Sequence, residues 1–189
     1  MSEQRFDPAR ALTFDFEHGI VSLEGAPSRV LVPADALAAL CASADENAVA
    51  SFGRALGEGM GLRVAKRFGE TSGVRHASLE DVVDHLGGEL ALAGLGTLGA
   101  ERWGRALVLV LDQSPLGEAG DALLTATLAG ALRAATGTDA TIARLARDGA
   151  RLRMLVTNEP AASRLRAWLD EGLAWGEALV RLHAPRGNA

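Results

Sequence analysis

The scarcity of aromatic residues is the first feature of this sequence. It contains no tyrosine, and aromatic residues make up only 4% of its 189 positions. Because hydrophobic residues still amount to 48%, the core must be built mainly from leucine, valine and alanine. The single cysteine, Cys41, excludes an internal disulfide framework and any metal site with several cysteine ligands.

Neither nucleic acid nor a membrane is predicted as a partner. The net charge is −5, and the basic residues do not cluster with aromatics as they do in proteins that follow a nucleic acid strand. The longest nearly uncharged run, residues 86–100, is shorter than the roughly 20 residues that span a bilayer, and it contains Glu89. The N-terminus is polar and lacks an apolar signal segment. We therefore expect a soluble, cytoplasmic protein, with residues 1–11 as a flexible tail and residues 12–189 as one domain.

A long helix is predicted from an N-cap at Asp45 to about Gly69, and residues 52–68 of it carry two parallel rows of side chains. Apolar residues recur every four positions, which places them on one helical face: Phe52, Leu56, Met60, Val64 and Phe68. A second row, one position on, consists of Gly53, Gly57, Gly61 and Ala65. A glycine inside a helix costs roughly 1 kcal/mol relative to alanine, so we expect another backbone packed closely against this row. The pattern leaves open whether that backbone belongs to the same chain or to a second copy.

The other patterns predict an α+β fold, with an antiparallel sheet and helices packed around it. Alternating apolar residues predict an N-terminal hairpin over residues 12–16 and 20–23, and a short third strand over 30–32. The remaining predicted helices are 33–42, 78–93, 121–136 and 158–183, and the remaining predicted strands are 97–103, 105–112, 141–147 and 150–157. Helix 121–136 carries a small-residue row of its own, Ala122, Ala126, Gly130 and Ala134.

The last predicted hairpin turns at Asp148-Gly149 and is rich in arginine. A two-residue turn at these positions pairs Leu145 with Leu152 and places Arg144 opposite Arg153. Two interpretations of the arginine cluster (Arg144, Arg147, Arg151 and Arg153) remain open. It is either a solvated edge with local acidic partners, which also discourages edge-to-edge association, or a site for an acidic partner.

Two motifs resemble functional sites but fit a structural role better. The segment Gly94–Gly99 spells G-x-G-x-x-G, yet a helix is predicted before it and a strand after it, the reverse of the dinucleotide-binding order. We expect a helix-to-strand turn there. Asp81, His85 and Glu89 are spaced four apart and could present metal ligands, but a solvated helical face with i,i+4 pairing accounts for them more simply.

No catalytic constellation is present. The four histidines lack H-x-H or H-E-x-x-H spacing, and no serine lies in a G-x-S-x-G motif. Cys41 falls on an apolar helix, where a small buried thiol is commoner than a nucleophile. We therefore predict that the protein is not an enzyme and that it uses no cofactor and no metal.

The order of elements and several short stretches resemble the sensory region of bacterial activators of aromatic catabolism. That region has an N-terminal segment followed by a 4-vinyl-reductase-type domain. The N-terminal stretches that carry the resemblance are Gly19–Leu23, Arg29–Leu31, Pro33–Leu40 and the row Gly53, Gly57 and Gly61. Those in the later half are Asp112–Pro115, Leu128–Ala131, Thr136-Gly137 and Asp148-Gly149. The resemblance covers roughly residues 12–157.

The resemblance implies ligand sensing. In the aromatic-responsive sensors a histidine and a tryptophan hold a phenol-like hydroxyl, and the positions that match here are His76 and Trp103. The helical face that bears Phe52, Leu56 and Met60 is then expected to meet the sheet or the pocket. The same superfamily includes TRAPP small subunits and haem-NO-binding domains, which often dimerise, so a homodimer is implied as well.

The sequence departs from the family in two respects. Sensors of this type often bind zinc through cysteines around the final hairpin, and here those positions hold arginine and methionine, so no such zinc site is expected. The sequence also contains no ATPase or DNA-binding domain, so we do not expect it to activate transcription alone.

The leading hypothesis is a stand-alone sensor or binding module for a small apolar or aromatic ligand. It predicts a cavity of several hundred Å3 between helix 52–68 and the sheet, touching His76 or Trp103. The alternative is a ligand-free adaptor or scaffold resembling TRAPP subunits, which predicts a large apolar surface or dimer face. An enzyme of tetrapyrrole metabolism is a third and weaker hypothesis.

Overall fold

The computed structural model describes residues 11–24 and 26–184. The helices α1 to α7 are Ala34–Ser43, Glu46–Arg67, Thr71–His76, Leu79–Leu92, Asp121–Thr136, Glu159–Asp170 and Trp175–His183. The strands β1 to β7 are Leu12–Asp15, Ile20–Leu23, Ala26–Arg29, Thr97–Trp103, Ala106–Asp112, Thr141–Asp148 and Arg151–Thr157. The predicted tail lies outside the described residues except for Ala11, which is buried.

The strands form two antiparallel sheets, which confirms the predicted α+β class. The smaller sheet has the order β1-β2-β3, and the larger has the order β4-β5-β7-β6. The N-terminal hairpin is confirmed, with Leu12 opposite Leu23. The third strand is wrongly predicted, because β3 precedes residues 30–32, which have no regular structure and are exposed to solvent.

Helices cover both faces of the larger sheet. Alternate residues of β5 point in opposite directions, so Leu109 and Leu111 belong to a core shared with α4 and α5, whereas Val108 and Val110 belong to a second core with α6 and α7. The run is buried on both sides, which explains why its apolar residues do not alternate with polar ones. Helix α2 lies along α5, within the first core.

The glycine row of α2 packs directly on the backbone of α5. Gly53 lies beside Leu123, where a Cβ atom would stand 2.7 Å from the carbonyl oxygen, and Gly61 lies beside Ala131. The two helices therefore run in the same direction. Gly130 of α5 in turn accommodates the backbone of Arg54. The two small-residue rows interlock within one chain, which confirms the intrachain explanation of the glycines and leaves them unavailable as a face for a second copy.

The helix ends follow the sequence signals. The carboxylate of Asp45 caps α2 by accepting hydrogen bonds from the amides of Asn47 and Ala48. Helix α4 ends in a Schellman motif at Gly94, whose φ of +68° lies in the left-handed region that favours glycine. This glycine begins the G-x-G-x-x-G segment, so the motif is the helix-to-strand turn that was predicted.

Two helical boundaries were predicted incorrectly. Residues 71–76, for which no helix is predicted, form α3. The predicted helix 158–183 is two helices, because Gly172 adopts φ +88° and closes a Schellman motif at the end of α6. In that motif the Leu173 amide donates to the Trp168 carbonyl at 3.0 Å. The chain turns here, and α7 begins at Trp175.

The register of the last hairpin differs from the prediction because of a β-bulge. Asp148 pairs with Arg151, and a shift between Arg144 and Ala146 leaves one extra residue in β6. The bulge reverses the alternation of side chains, so Arg144 and Arg147 both face α5, opposite Met154 and Leu152. The predicted pairing of Arg144 with Arg153 is therefore wrong.

The bulge allows both arginines to reach one buried acid. Asp121, at the start of α5, is 5% exposed and accepts a hydrogen bond from Arg147 Nε at 2.8 Å. Arg144 Nε lies 3.0 Å from its other carboxylate oxygen, at an angle unsuited to a hydrogen bond. Arg151 pairs with Asp112. The cluster therefore has local acidic partners, as one interpretation predicted, but Arg147 is buried rather than solvated.

Glu89 lies inside the protein and joins three elements. It is 1% exposed, and its two carboxylate oxygens lie 2.6 Å from the guanidinium groups of Arg63 and Arg67 on α2. Arg67 also pairs with Glu24, at the end of β2, at 2.8 Å. The interpretation of Glu89 as part of a solvated face is therefore wrong, because α4 presents this side chain to α2. The network ties the N-terminal sheet to the helical core.

Replacing Gly57 by alanine should destabilise the protein strongly. A Cβ atom there would overlap the backbone carbonyl of Thr127, and neither backbone can move without separating α2 from α5. Overpacking of this kind costs about 1–3 kcal/mol or more. Thermal unfolding of Gly57→Ala should show a clearly lowered Tm. Gly59→Ala is the control, since its Cβ would meet only the end of the Arg63 side chain and should leave Tm unchanged or raise it. Equal Tm values for the two variants would contradict the packing described.

Replacing Glu89 by glutamine should also destabilise the fold. Removing one partner of a buried ion pair costs about 3–5 kcal/mol, and we expect the lower end because Arg63 and Arg67 keep some contact with water. Urea unfolding of Glu89→Gln measures this loss. Glu80→Gln is the control, since Glu80 is exposed in the first turn of the same helix and should change the free energy of unfolding by less than about 1 kcal/mol.

Candidate functional site

Trp103 is the last residue of β4, and its side chain lies on the α7 face of the larger sheet. Side chains alternate along the strand, so Leu98 packs on α4 whereas Glu101 and Trp103 point to the opposite face. The Trp103 ring meets the Trp175 ring edge to face, with ring centroids 4.8 Å apart. Its exposed fraction is 47%, so one side of this indole remains open to solvent.

An open groove of about 740 Å3 lies beside Trp103. Its lining is mostly apolar and comes from the β4 end, the α6–α7 connection and α7: Trp103, Leu173, Ala174, Gly176, Glu177, Val180 and Arg181. We call it the Trp103 groove. Its volume lies in the range of small-molecule sites. The turn at Gly172 is what creates it, because a straight helix through residues 158–183 would not fold α7 back beside β4.

The polar groups around the Trp103 groove contact one another or the tryptophan rings. Trp103 Nε1 donates a hydrogen bond to Glu101 Oε2 at 2.9 Å. The Arg153 guanidinium lies 5.6 Å from the centre of the Trp175 ring, and that of Arg181 lies 4.6 Å from the centre of the Trp168 ring. All three tryptophans of the protein therefore lie on this face of the sheet.

The other residues predicted for a ligand site lie elsewhere. His76 is exposed at the end of α3, where its Nδ1 is 2.7 Å from the carbonyl oxygen of Ser72. Met60 is 2% exposed in the core between α2 and its neighbours, Leu56 is half-buried beside it, and Phe52 is 53% exposed. None of these four lines the Trp103 groove. The structure thus places Trp103 on the opposite face of the sheet from the other four residues.

The groove-lining residues of α7 and of the α6–α7 connection could not be identified from the sequence. Leu173 and Val180 formed part of a broad apolar stripe that a single buried helix would explain equally well. The usable signal was Asp170-Glu171-Gly172, a polar run that ends in glycine and is typical of a helix C-terminus. A break there would have separated Trp175 and Val180 from α6.

A second groove, of about 620 Å3, lies between α2, α5, β6 and α6. Its floor is rich in alanine, including Ala122, Ala126 and Ala129, and its walls are charged. The charged residues include Asp121 and Arg144, which pair with each other, and Glu159 and Arg166, which also pair. Charged pairs of both signs therefore form the walls, and polar and apolar surface are mixed in this groove, in contrast to the mostly apolar lining of the Trp103 groove.

The residues that the sequence offered as metal ligands or as a reactive thiol have structural roles. The ring of His85 packs on Phe68, with centroids 4.6 Å apart, and its Nδ1 lies 2.8 Å from the Asp81 carbonyl oxygen. No cluster of three or more histidine, cysteine or acidic residues in the described ranges could hold a metal ion. Burial raises the pKa of the Cys41 thiol, which lowers the fraction of reactive thiolate at neutral pH.

Comparison with known proteins identifies the fold. No protein-family model matches the chain, and no curated protein matches it in sequence. Its structure is similar to that of the phenol-responsive sensory domain of the transcription activator PoxR, in the crystal structure with phenol, with a TM-score of 0.59. The chain shares this fold. The two are 19% identical, and the match covers 94% of each chain. The resemblance inferred from the sequence is confirmed at the level of the fold.

The helices of the described part are too short or too polar to be membrane spans. None combines the length and the apolar character needed to cross a bilayer. The longest, α2, carries several charged residues and three buried glycines.

Proposed function

We propose that this protein is a sensor or binding module for a small apolar or aromatic ligand, without catalytic activity, and that Trp103 is the main ligand contact. The observation that carries the proposal is the Trp103 groove itself. An open, half-exposed indole beside a mostly apolar lining is the kind of surface that binds a small hydrophobic molecule.

The fold supports the same proposal. The PoxR domain with the same fold is phenol-responsive and was crystallised with phenol. A likeness of fold does not carry the site over residue by residue, and the contacts of Trp103 differ from what the family resemblance implied. Its indole N–H already donates to Glu101, so we propose that the ring face rather than the N–H meets the ligand.

Intrinsic fluorescence offers a direct test, because the protein has no tyrosine and its three tryptophans all lie around this groove. We expect titration with phenols, fatty acids or tetrapyrroles to change the tryptophan emission and to raise Tm, since a ligand that binds only the folded state stabilises it. Trp103→Ala should weaken binding about tenfold or more, through lost ring contact and apolar area.

Two further variants sharpen that experiment. Val180→Asp places a charge in the groove at a position that is 74% exposed, so it should abolish apolar binding without unfolding the protein. His76→Ala is the matched control, because His76 lies outside the groove and its removal should leave the affinity unchanged. If His76→Ala weakens binding and Val180→Asp does not, the ligand binds elsewhere and the proposed site is wrong.

The adaptor hypothesis also has a specific observation in its favour. The N-terminal part exposes several large apolar side chains, among them Phe16 at 89%, Val30 at 85% and Leu31 at 69%. Phe14 and Phe16 stack on each other with centroids 6.0 Å apart. We propose this surface, rather than the glycine rows, as the contact face of a homodimer or of a TRAPP-type adaptor with its protein partner.

Self-association should therefore depend on Leu31. Leu31→Asp replaces an exposed apolar side chain by a charge, so it should shift a dimer towards monomer while leaving Tm nearly unchanged. Sedimentation velocity over a range of concentrations measures this shift. Leu62→Asp is the control, because Leu62 is also exposed, at 57%, but lies on α2. A wild-type protein that stays monomeric at all concentrations would contradict the homodimer.

A further inference from the structure

Arg181 differs in its contacts from the arginines of the hairpin. Arg144 and Arg151 pair with carboxylates. Arg181 lines the Trp103 groove, and among the described residues no carboxylate lies within ion-pair distance of it. Its contact is with Trp168, whose ring lies 4.6 Å from the guanidinium carbon. The groove therefore holds a cation to which residues 11–24 and 26–184 present no hydrogen-bond acceptor.

The stacking on Trp168 matters for what Arg181 can bind. A guanidinium group is planar, and its N–H donors lie in the plane rather than above it. When an aromatic ring covers one face, the in-plane donors remain available, and they match a carboxylate in a bidentate arrangement. The stacked ring also limits the rotamers of the side chain, so less entropy is lost when an anion binds.

The other polar group that could have held a ligand is already occupied. Trp103 Nε1 donates to Glu101, so the one indole in the described lining already has an acceptor for its N–H. The lining contains two charged side chains, Arg181 and Glu177, and otherwise apolar groups. Because Glu177 accepts but does not donate, Arg181 is the one cationic donor that the described lining residues offer to an acidic ligand.

We propose that the Trp103 groove selects an apolar monocarboxylate, either aromatic or aliphatic, with its apolar body on Trp103 and Val180 and its carboxylate on Arg181. This inference rests on the proposed function of the groove and adds the chemical class of the ligand. Glu177 lies one turn before Arg181 on α7 and beyond ion-pair distance from it. It opposes an anion electrostatically, so it moderates the affinity without providing a binding contact.

The test compares acids with neutral molecules of the same shape. Benzoate is titrated against benzyl alcohol, and dodecanoate against dodecanol, below the concentrations at which these amphiphiles aggregate. Tryptophan fluorescence and calorimetry report the affinity of the wild-type protein and of Arg181→Gln, Arg181→Lys and Glu177→Gln. We expect the acids to bind at least about tenfold more tightly than the alcohols, since a hydrogen bond to a charged group is stronger than a neutral one.

The variants separate the role of the charge from that of the fold. Arg181→Gln should remove the preference for the acids and leave the alcohols nearly unaffected, Arg181→Lys should retain part of it, and Glu177→Gln should increase it. Equal binding of acids and alcohols, unchanged in Arg181→Gln, would overturn the carboxylate inference and leave the proposed function standing. Absence of binding by all four molecules would overturn both. Tm of each variant is measured first, so that a loss of folding is recognised as such.

Discussion

The backbone contact between α2 and α5 is the constraint on which the rest of the structure depends. Gly53, Gly57 and Gly61 lie so close to the carbonyl groups of α5 that no side chain fits between the helices. The close approach brings Met60 and Val64 into the core with Leu124 and Leu128, where dispersion and burial of apolar surface offset the poor helix propensity of glycine. The two helices thus form a rigid pair that fills one side of the larger sheet.

This filled side leaves the other face of the larger sheet for the proposed ligand site. With α4, α5 and α2 packed over one face, the core there is closed by large aliphatic side chains, and the buried Glu89 fastens α4 to α2 and to the N-terminal sheet. The other face carries two shorter helices with a turn between them at Gly172. The turn leaves α7 beside the end of β4, and the Trp103 groove lies between this strand end, the α6–α7 connection and α7. Binding is therefore proposed on the less densely covered face.

Much of the fold was predictable because local signals agreed with tertiary packing. The strand 97–103, the helix 121–136 and the cap at Asp45 were placed at their observed positions. The incorrect predictions concern features that depend on contacts between distant segments of the chain. The bulge in β6 turns Arg147 towards Asp121 and follows from how the strand packs on α5. No residue pattern within the hairpin predicts this bulge. Among the residues predicted for the ligand site, Trp103 lies in a groove. His76, predicted to contact the same ligand, lies on the other side of the sheet.

The sequence by itself determined that the glycine row must meet a backbone, because three glycines at four-residue spacing remove every side chain from one helical face. It also determined which residues of β5 are buried, since the run is apolar on both faces. Only the tertiary structure decided that the partner backbone is α5 of the same chain, and that Glu89 and Asp121 are buried with arginines rather than solvated. The physical reason is that helix and strand periods determine which residues share a face, whereas the neighbour that each face meets depends on how distant segments pack together.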